Sequence, residues 1–188
     1  DAVVISHDHW DHVYGMPAVA SRSERSLCVY VPAPDKQSIS VQNPRVKAVP
    51  VSEPMEIFDG IWSTGSVAAT YAGRPIAEQA LILMVMGGAY VVTGCAHPGI
   101  VTIIERAGEI VADRPILLVI GGMHLIDSAD QTIRDISLKL RQLGVKRLAP
   151  SHCTGTRAMD ILREEWREDY VELYLGHTMV LHPVEESV

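Results

Sequence analysis

Short apolar segments that end in polar, histidine-bearing loops recur along this 188-residue chain and leave few folds open to it. Residues 1–6 (DAVVIS) are rich in β-branched side chains, as buried strands are, and a polar run follows at once. Residues 116–122 (ILLVIGG) and 145–150 (VKRLAP) repeat the pattern, and a histidine follows each of them. Segments with helical spacing of apolar residues lie between the strands. Strand–loop–helix units of this kind predict a layered α/β domain.

The remaining elements follow from turn and periodicity signals. Residues 79–94 predict a β-hairpin, because two apolar runs flank the turn signal Gly87-Gly88. The polar run 7–12 is expected to be a loop. Further strands are predicted at 27–33, 45–51 and 171–182, and helices at 13–25, from about 100 to 107, at 130–143 and at 154–166. We expect a single domain over residues 1–188.

Composition excludes several function classes. The net charge of −7 argues against general nucleic-acid binding, which needs a basic surface. The longest apolar run, 80–93, is too short to span a bilayer. The three cysteines lie far apart and are odd in number, which favours a reducing compartment over a disulfide framework. A cytoplasmic protein that acts on a small molecule is therefore expected.

The histidines carry the most information about function. Six of the eight lie just beyond the carboxyl end of a predicted strand, and ligands bind at that rim in layered α/β folds. Side chains that are distant in sequence can converge there. The six are His7, His9, His12, His97, His124 and His152.

The run His7-Asp8-His9-Trp10-Asp11-His12 has the chemistry of a metal site. In an extended segment, His7 and His9 point the same way and can hold one ion together. Asp11 and His12 follow the turn of the chain, so they can face a second ion. Imidazole and carboxylate ligands suit zinc, iron or manganese, and two such ions can activate a shared water. Each ion needs a ligand from later in the chain, and His97 and His152 are the expected donors.

The other polar residues receive weaker assignments. His124 is expected either to contact the substrate or to orient a metal ligand. Asp8 points away from the ions and is expected to orient a ligand, and Trp10 is expected to pack. The last two histidines, His177 and His182, are interpreted as structural.

Four motifs together resemble the metallo-β-lactamase superfamily. His7-x-His9-x-Asp11-His12 matches its HxHxDH signature. Three later motifs look like one branch, usually labelled metal-dependent hydrolase or dihydropterin–ribofuranosylaminobenzene phosphate synthase-like. They are residues 93–100 (TGCAHPGI), 121–125 (GGMHL) and 152–155 (HCTG).

The resemblance implies a four-layer αββα sandwich with a dinuclear site at the sheet edges. By this resemblance, the expected metal ligands are His7, His9, Asp11, His12, His97 and His152. Zinc is the favoured metal, and manganese and iron are the alternatives. Many superfamily members have a bridging Asp in a Gly-Asp pair, where this chain has Gly94-Cys95. Cys95 is therefore either a thiolate ligand or a side chain that packs inward, and we favour packing. The HTPGH-type motif that is usual in the superfamily is also absent. Residues 63–70 (STGSVAAT) occupy its region without a histidine, so a true β-lactamase is not expected.

The resemblance also implies strands before HxHxDH that this chain does not contain. We therefore expect an N-terminally truncated domain that forms a homodimer or associates with a missing N-terminal segment.

Four functions fit these residues. The leading hypothesis is a dinuclear metal-dependent hydrolase of ester, lactone or phosphate-type substrates, with Asp11 orienting the water and His124 contacting the leaving group. The synthase label would instead mean that an arylamine displaces diphosphate from a pterin. A di-iron redox protein and a catalytically incomplete fold relative are the remaining alternatives.

Overall fold

The computed structural model describes residues 2–33 and 45–180. Its first part is a parallel three-stranded sheet, in the order β1 (Ala2–Val4), β2 (Leu27–Pro32) and β3 (Val46–Val51). Two short helices, α1 (Trp10–Val13) and α2 (Met16–Arg22), connect β1 to β2. The first of them begins inside the histidine-rich run, at Trp10, so the turn of this connection sets where its polar side chains lie.

A six-stranded sheet forms the centre of the molecule. It consists of β4 (Met55–Phe58), β5 (Ile61–Ser63), β8 (Leu81–Val85), β9 (Gly88–Thr93), β10 (Ile116–Gly122) and β11 (Leu148–Ser151), in the order β11-β10-β9-β8-β5-β4. Strands β9, β10 and β11 run parallel, and the other pairs are antiparallel. The carboxyl ends of β9, β10 and β11 therefore meet at one edge.

A hairpin and a buried glutamine lie at the junction between the two sheets. A separate hairpin, β6 (Val67–Tyr71) and β7 (Arg74–Glu78), leaves the large sheet between β5 and β8. The polar residue after β7, Gln79, is buried and joins the two sheets: its backbone N–H donates to Ser6 O at 2.8 Å, and its side chain donates to Ile5 O at 2.8 Å. This junction brings the end of β1 next to β8 and β9.

Three helices cover the large sheet: α3 (Ile100–Val111), α4 (Asp130–Gln142) and α5 (Thr156–Trp166). Each turns one apolar stripe inward, as amphipathic helices do, and Ile103, Leu140 and Leu162 are fully buried with Val91 of the sheet. A second core lies on the small sheet, where Met16 of α2 packs against β2. None of the helices in the described part of the chain has the length and apolar character of a membrane span.

Most predicted elements are confirmed. The hairpin predicted over 79–94 is the antiparallel pair β8–β9, and the strand predicted at 45–51 is β3, at the edge of its sheet. The loop predicted at 7–12 is correct as far as His9, but its last residues form the single turn α1. Strands β4 to β7 had no clear sequence signal, because they are short and carry many polar residues.

The strand predicted at 171–182 is wrong for its described part. Residues 171–180 form no strand, and only Tyr170 makes an isolated bridge, to Leu148. Tyr174, Leu175 and Val180 are largely exposed, so these apolar side chains do not pack against a sheet or a core. His182 lies outside the described residues.

Candidate metal centre

Four strand ends supply the candidate ligands. His7 follows β1, His97 follows β9, His124 follows β10 and His152 follows β11. Because the last three strands are parallel neighbours, their following turns meet at one edge, and the Gln79 junction brings the end of β1 to the same place. The convergence expected from the sequence is therefore what the structure has.

The turns that carry these residues are tight. Ala96, His124 and His152 adopt left-handed backbone conformations with φ of 62°, 49° and 49°. Such conformations are costly for residues with a Cβ and concentrate at functional sites. Gly122 permits the close approach of the chains, because a Cβ there would collide with the carbonyl oxygen of Gly94.

The first group of ligand atoms consists of His7, His9 and His97. His7 Nε2 lies 3.2 Å from His9 Nδ1, and His97 Nε2 lies 3.2 Å from the same atom. All three ligand atoms lie within 4.8 Å of one another. His7 is completely buried, so this group, which we call the inner triad, forms the floor of the site.

The second group consists of Asp11, His12 and His152, and we call it the outer triad. His12 Nε2 and His152 Nε2 are 3.2 Å apart, and Asp11 Oδ2 lies 3.4 Å from each of them. The Asp11 side chain is 35% exposed and that of His152 45% exposed. This triad is therefore the more accessible of the two.

These spacings fit metal coordination. Nitrogen and oxygen ligands about 2.0–2.1 Å from a zinc ion at tetrahedral corners lie about 3.3 Å apart. All three edges of the outer triad and two edges of the inner triad are within 0.1 Å of that separation. The outer triad thus has the size of one face of a tetrahedron, and two edges of the inner triad have the length that such a face requires.

Cys95 lies between the two triads. Its side chain is buried, as the inward-packing alternative requires, yet its sulfur is 3.3 Å from His12 Nε2 in the outer triad. It is also grouped with His97 of the inner triad and with Cys153 within 4.8 Å. Burial and proximity to the ligand atoms are therefore both present, and the thiol is near enough to contribute to either group.

A cavity of about 330 Å³ opens over this cluster. It is lined by His9, Trp10, Asp11, Tyr71, Cys95, His97, His124, His152 and Cys153. A small molecule in this cavity would touch both triads.

Comparison with known proteins agrees with these features, although no protein-family model matches the chain. Among solved structures, a metal-dependent hydrolase of the β-lactamase superfamily matches with a TM-score of 0.76 and 27% identity, covering 95% of this chain and 79% of that one. The chain has the metallo-β-lactamase fold. Both the α/β fold class and the resemblance predicted from the motifs are confirmed.

Two other relatives belong to the same comparison. The chain is 24% identical over 216 residues to the 7,8-dihydropterin-6-methyl-4-(β-D-ribofuranosyl)-aminobenzene-5'-phosphate synthase of Methanocaldococcus jannaschii, a match over 94% of this chain and 74% of the synthase. The isothiocyanate hydrolase from Delia radicum gut bacteria matches with a TM-score of 0.62, covering 96% of this chain and 76% of that one. At 14% identity, it supports the fold alone.

Glu78 is a residue of this metallo-β-lactamase fold that the sequence reasoning missed. Its buried carboxylate accepts backbone N–H bonds from Cys95 and Ala96 at Oε1, both 2.8 Å, and from His97 at Oε2, 2.7 Å. The same carboxylate lies 3.8 Å from His7 Nδ1. Glu78 therefore holds the turn that carries His97 and faces the back of His7. Its N–H partners follow 17 to 19 residues later in the chain, so the sequence around Glu78 carries no local signal of this role.

Burial keeps His7 and His97 of the inner triad neutral. Desolvation, together with the neighbouring histidines, lowers the pKa of His7 to about 2 and that of His97 to about 4. Burial also lowers the pKa of His12, while the charge of Asp11 opposes that shift. Neutral imidazole is the form that binds a metal, so these side chains have ligand character at neutral pH without losing a proton first.

His124 lies beside the inner triad. Its ring centroid is 4.3 Å from that of His97, and its Nδ1 is buried without a hydrogen-bond partner in the described part of the chain. It lines the cavity, a position that suits either of its two predicted roles. Outside the site, His177 contacts Tyr174 in the C-terminal segment.

The prediction that Trp10 packs is wrong. Its side chain is 74% exposed and lines the cavity, because the single turn α1 directs it away from the core of the small sheet.

Replacing Glu78 tests the role of its carboxylate. In Glu78→Gln, an amide N–H₂ must face one of the three backbone N–H groups, which loses at least one bond and leaves a buried donor unpaired. We expect the free energy of unfolding to fall by about 1–3 kcal/mol and zinc affinity to fall about 10- to 100-fold, measured by urea denaturation and by competition with a chelator. Glu105→Gln on the exposed face of α3 is the control and should change neither quantity. Wild-type stability and zinc affinity in Glu78→Gln would show that the carboxylate does not hold this turn.

Proposed function

We propose that this protein is a metal-dependent hydrolase whose two triads each hold one divalent metal ion, with zinc favoured. The observation that carries the proposal is the outer triad, in which three ligand atoms lie 3.2–3.4 Å apart beside a second group of three possible ligands. The similarity in sequence and fold to a metal-dependent hydrolase supports it.

Metal ions bound in the two triads would lower the pKa of a water and polarise a substrate oxygen. The protein supplies the geometry of that reaction. The Asp11 carboxylate has more acceptor sites than one ion uses, and it is partly exposed on the cavity side. It is therefore suited to accept a hydrogen bond from the attacking water and orient it.

His124 is placed for the leaving group. Its ring lines the cavity next to His97, and each neutral imidazole has one N–H to donate. A hydrogen bond from His124 to the departing oxygen would stabilise the negative charge that develops there as the bond breaks. The substrate classes that suit this arrangement are esters, lactones and phosphodiesters of small size.

Removing one ligand from each triad tests the proposal. We expect the wild-type protein reconstituted with zinc to contain two ions per chain, and His7→Ala and His152→Ala to retain about one each, because each variant loses a ligand from a different triad. The rate of hydrolysis of generic phosphodiester, ester and lactone substrates should fall more than about 100-fold in both variants. Replacing a residue that only orients a metal ligand typically costs less than that. Metal content is measured by mass spectrometry of the purified protein.

His177→Ala is the matched control, since that histidine lies outside the site, and it should retain both metal and activity. If His7→Ala and His152→Ala keep the wild-type metal content and rate, the proposed site is wrong.

A second candidate function is group transfer, which the similarity to the methanocaldococcal synthase favours. The two functions differ in the nucleophile that reaches the cavity. Incubating the zinc-loaded protein with a pterin diphosphate ester, with and without an arylamine, separates them by mass spectrometry. A hydrolase gives the pterin alcohol and diphosphate, or the pterin monophosphate and phosphate, in both incubations. A pterin–arylamine adduct that forms only when the arylamine is present would instead establish the transferase.

A further inference from the structure

The β6–β7 hairpin reaches from beneath the site to its rim. Glu78, at the base of the hairpin, contacts the His97 turn, while Tyr71 lies at the tip opposite Arg74. The tip is a two-residue turn in which Ala72 and Gly73 have φ of 49° and 75°, the left-handed pair typical of a tight hairpin. Register and turn together fix the position of Tyr71 relative to the metal ligands.

The Tyr71 ring lies against three histidine rings of the site. The ring centroids are 4.9 Å from His9, 4.8 Å from His97 and 5.3 Å from His124. Tyr71 is nevertheless 43% exposed and lines the cavity, so part of its surface is available to a ligand. The core does not require a tyrosine at this exposed hairpin tip.

Trp10 adds a second aromatic surface to the same cavity. It follows His9 directly, lines the cavity and is 74% exposed. Aromatic side chains that line a cavity together with a few polar groups are typical of ligand-binding pockets. Among the described residues that line the cavity, none is a lysine or arginine. The residues around the candidate metal ligands therefore favour a substrate with a flat, uncharged group over a substrate with an additional anionic group.

We propose that Tyr71 is a specificity-determining residue that selects substrates with an aromatic group next to the reacting centre, and that Trp10 contributes to the same subsite. The inference rests on the proposed hydrolase function and adds its substrate class. Ring-on-ring contact with Tyr71 favours an aromatic substituent over a saturated one of equal size by about threefold to tenfold. Because this contact already exists in the bound substrate, it acts mainly on KM.

The test compares methyl benzoate with methyl cyclohexanecarboxylate, which share a leaving group and differ in the ring. We expect Tyr71→Leu to lower the ratio of kcat/KM for benzoate over cyclohexanecarboxylate about threefold to tenfold, through KM, at unchanged zinc content. Tyr71→Phe keeps the ring and should leave the ratio within about twofold of wild type. Tyr174→Leu removes an exposed tyrosine outside the site and should leave it unchanged.

Binding gives a second readout that does not need turnover. Calorimetry with benzoate and cyclohexanecarboxylate on the zinc-loaded protein should show the same aromatic preference in wild type and its loss in Tyr71→Leu. If this preference is present but neither ester is hydrolysed, the aromatic subsite stands and ester hydrolysis fails. If both ratios are unchanged in Tyr71→Leu, or if that variant loses zinc, Tyr71 does not select the substrate and the inference is overturned.

Discussion

A buried carboxylate organises the site. Glu78 accepts three backbone N–H groups from the turn that follows β9 and faces His7 from behind, so one side chain connects ligands that are 90 residues apart in sequence. A carboxylate taken out of water costs several kcal/mol unless it is hydrogen-bonded, and here the N–H groups offset that cost. The same bonds satisfy backbone donors that the tight turn would otherwise leave unpaired. The position of His97, and with it the inner triad, depends on this arrangement.

The two triads differ in burial and accessibility. His7 of the inner triad is fully buried and neutral, and its position is fixed by packing, whereas Asp11 and His152 of the outer triad are open to the cavity. A rigid floor and an accessible rim are what a catalytic metal site needs, because one part must hold geometry while the other admits water and substrate. Cys95 lies between them, and its sulfur is 3.3 Å from Nε2 of His12 in the outer triad.

The sequence predicted the placement of the histidines because one physical rule governs it. Parallel strands expose their carboxyl ends at one edge, so a histidine after each apolar segment leads to a cluster. It also predicted the β8–β9 hairpin, because a glycine pair between apolar runs leaves few other conformations open. The fold class and the superfamily resemblance followed from the motifs.

Other features could not be predicted, because they depend on long-range packing. Nothing local distinguishes Glu78 from a solvated carboxylate, since its N–H partners come from a turn 17 to 19 residues away. Tyr71 belongs to a hairpin whose short strands have no apolar period. The exposure of Trp10 follows from the single turn α1. The strand predicted at 171–182 is wrong for the same reason. Alternating apolar residues form a strand only where a sheet edge or a core is available for them to pack against.

Each triad is proposed to hold one metal ion. Anomalous diffraction at the zinc absorption edge, on crystals of the zinc-loaded protein, locates such ions without reference to activity. We expect two peaks in the cluster, one about 2 Å from the nitrogens of His7, His9 and His97 and the other about 2 Å from the ligand atoms of Asp11, His12 and His152. A single peak held by Cys95 and Cys153, or no peak within reach of either triad, would contradict it.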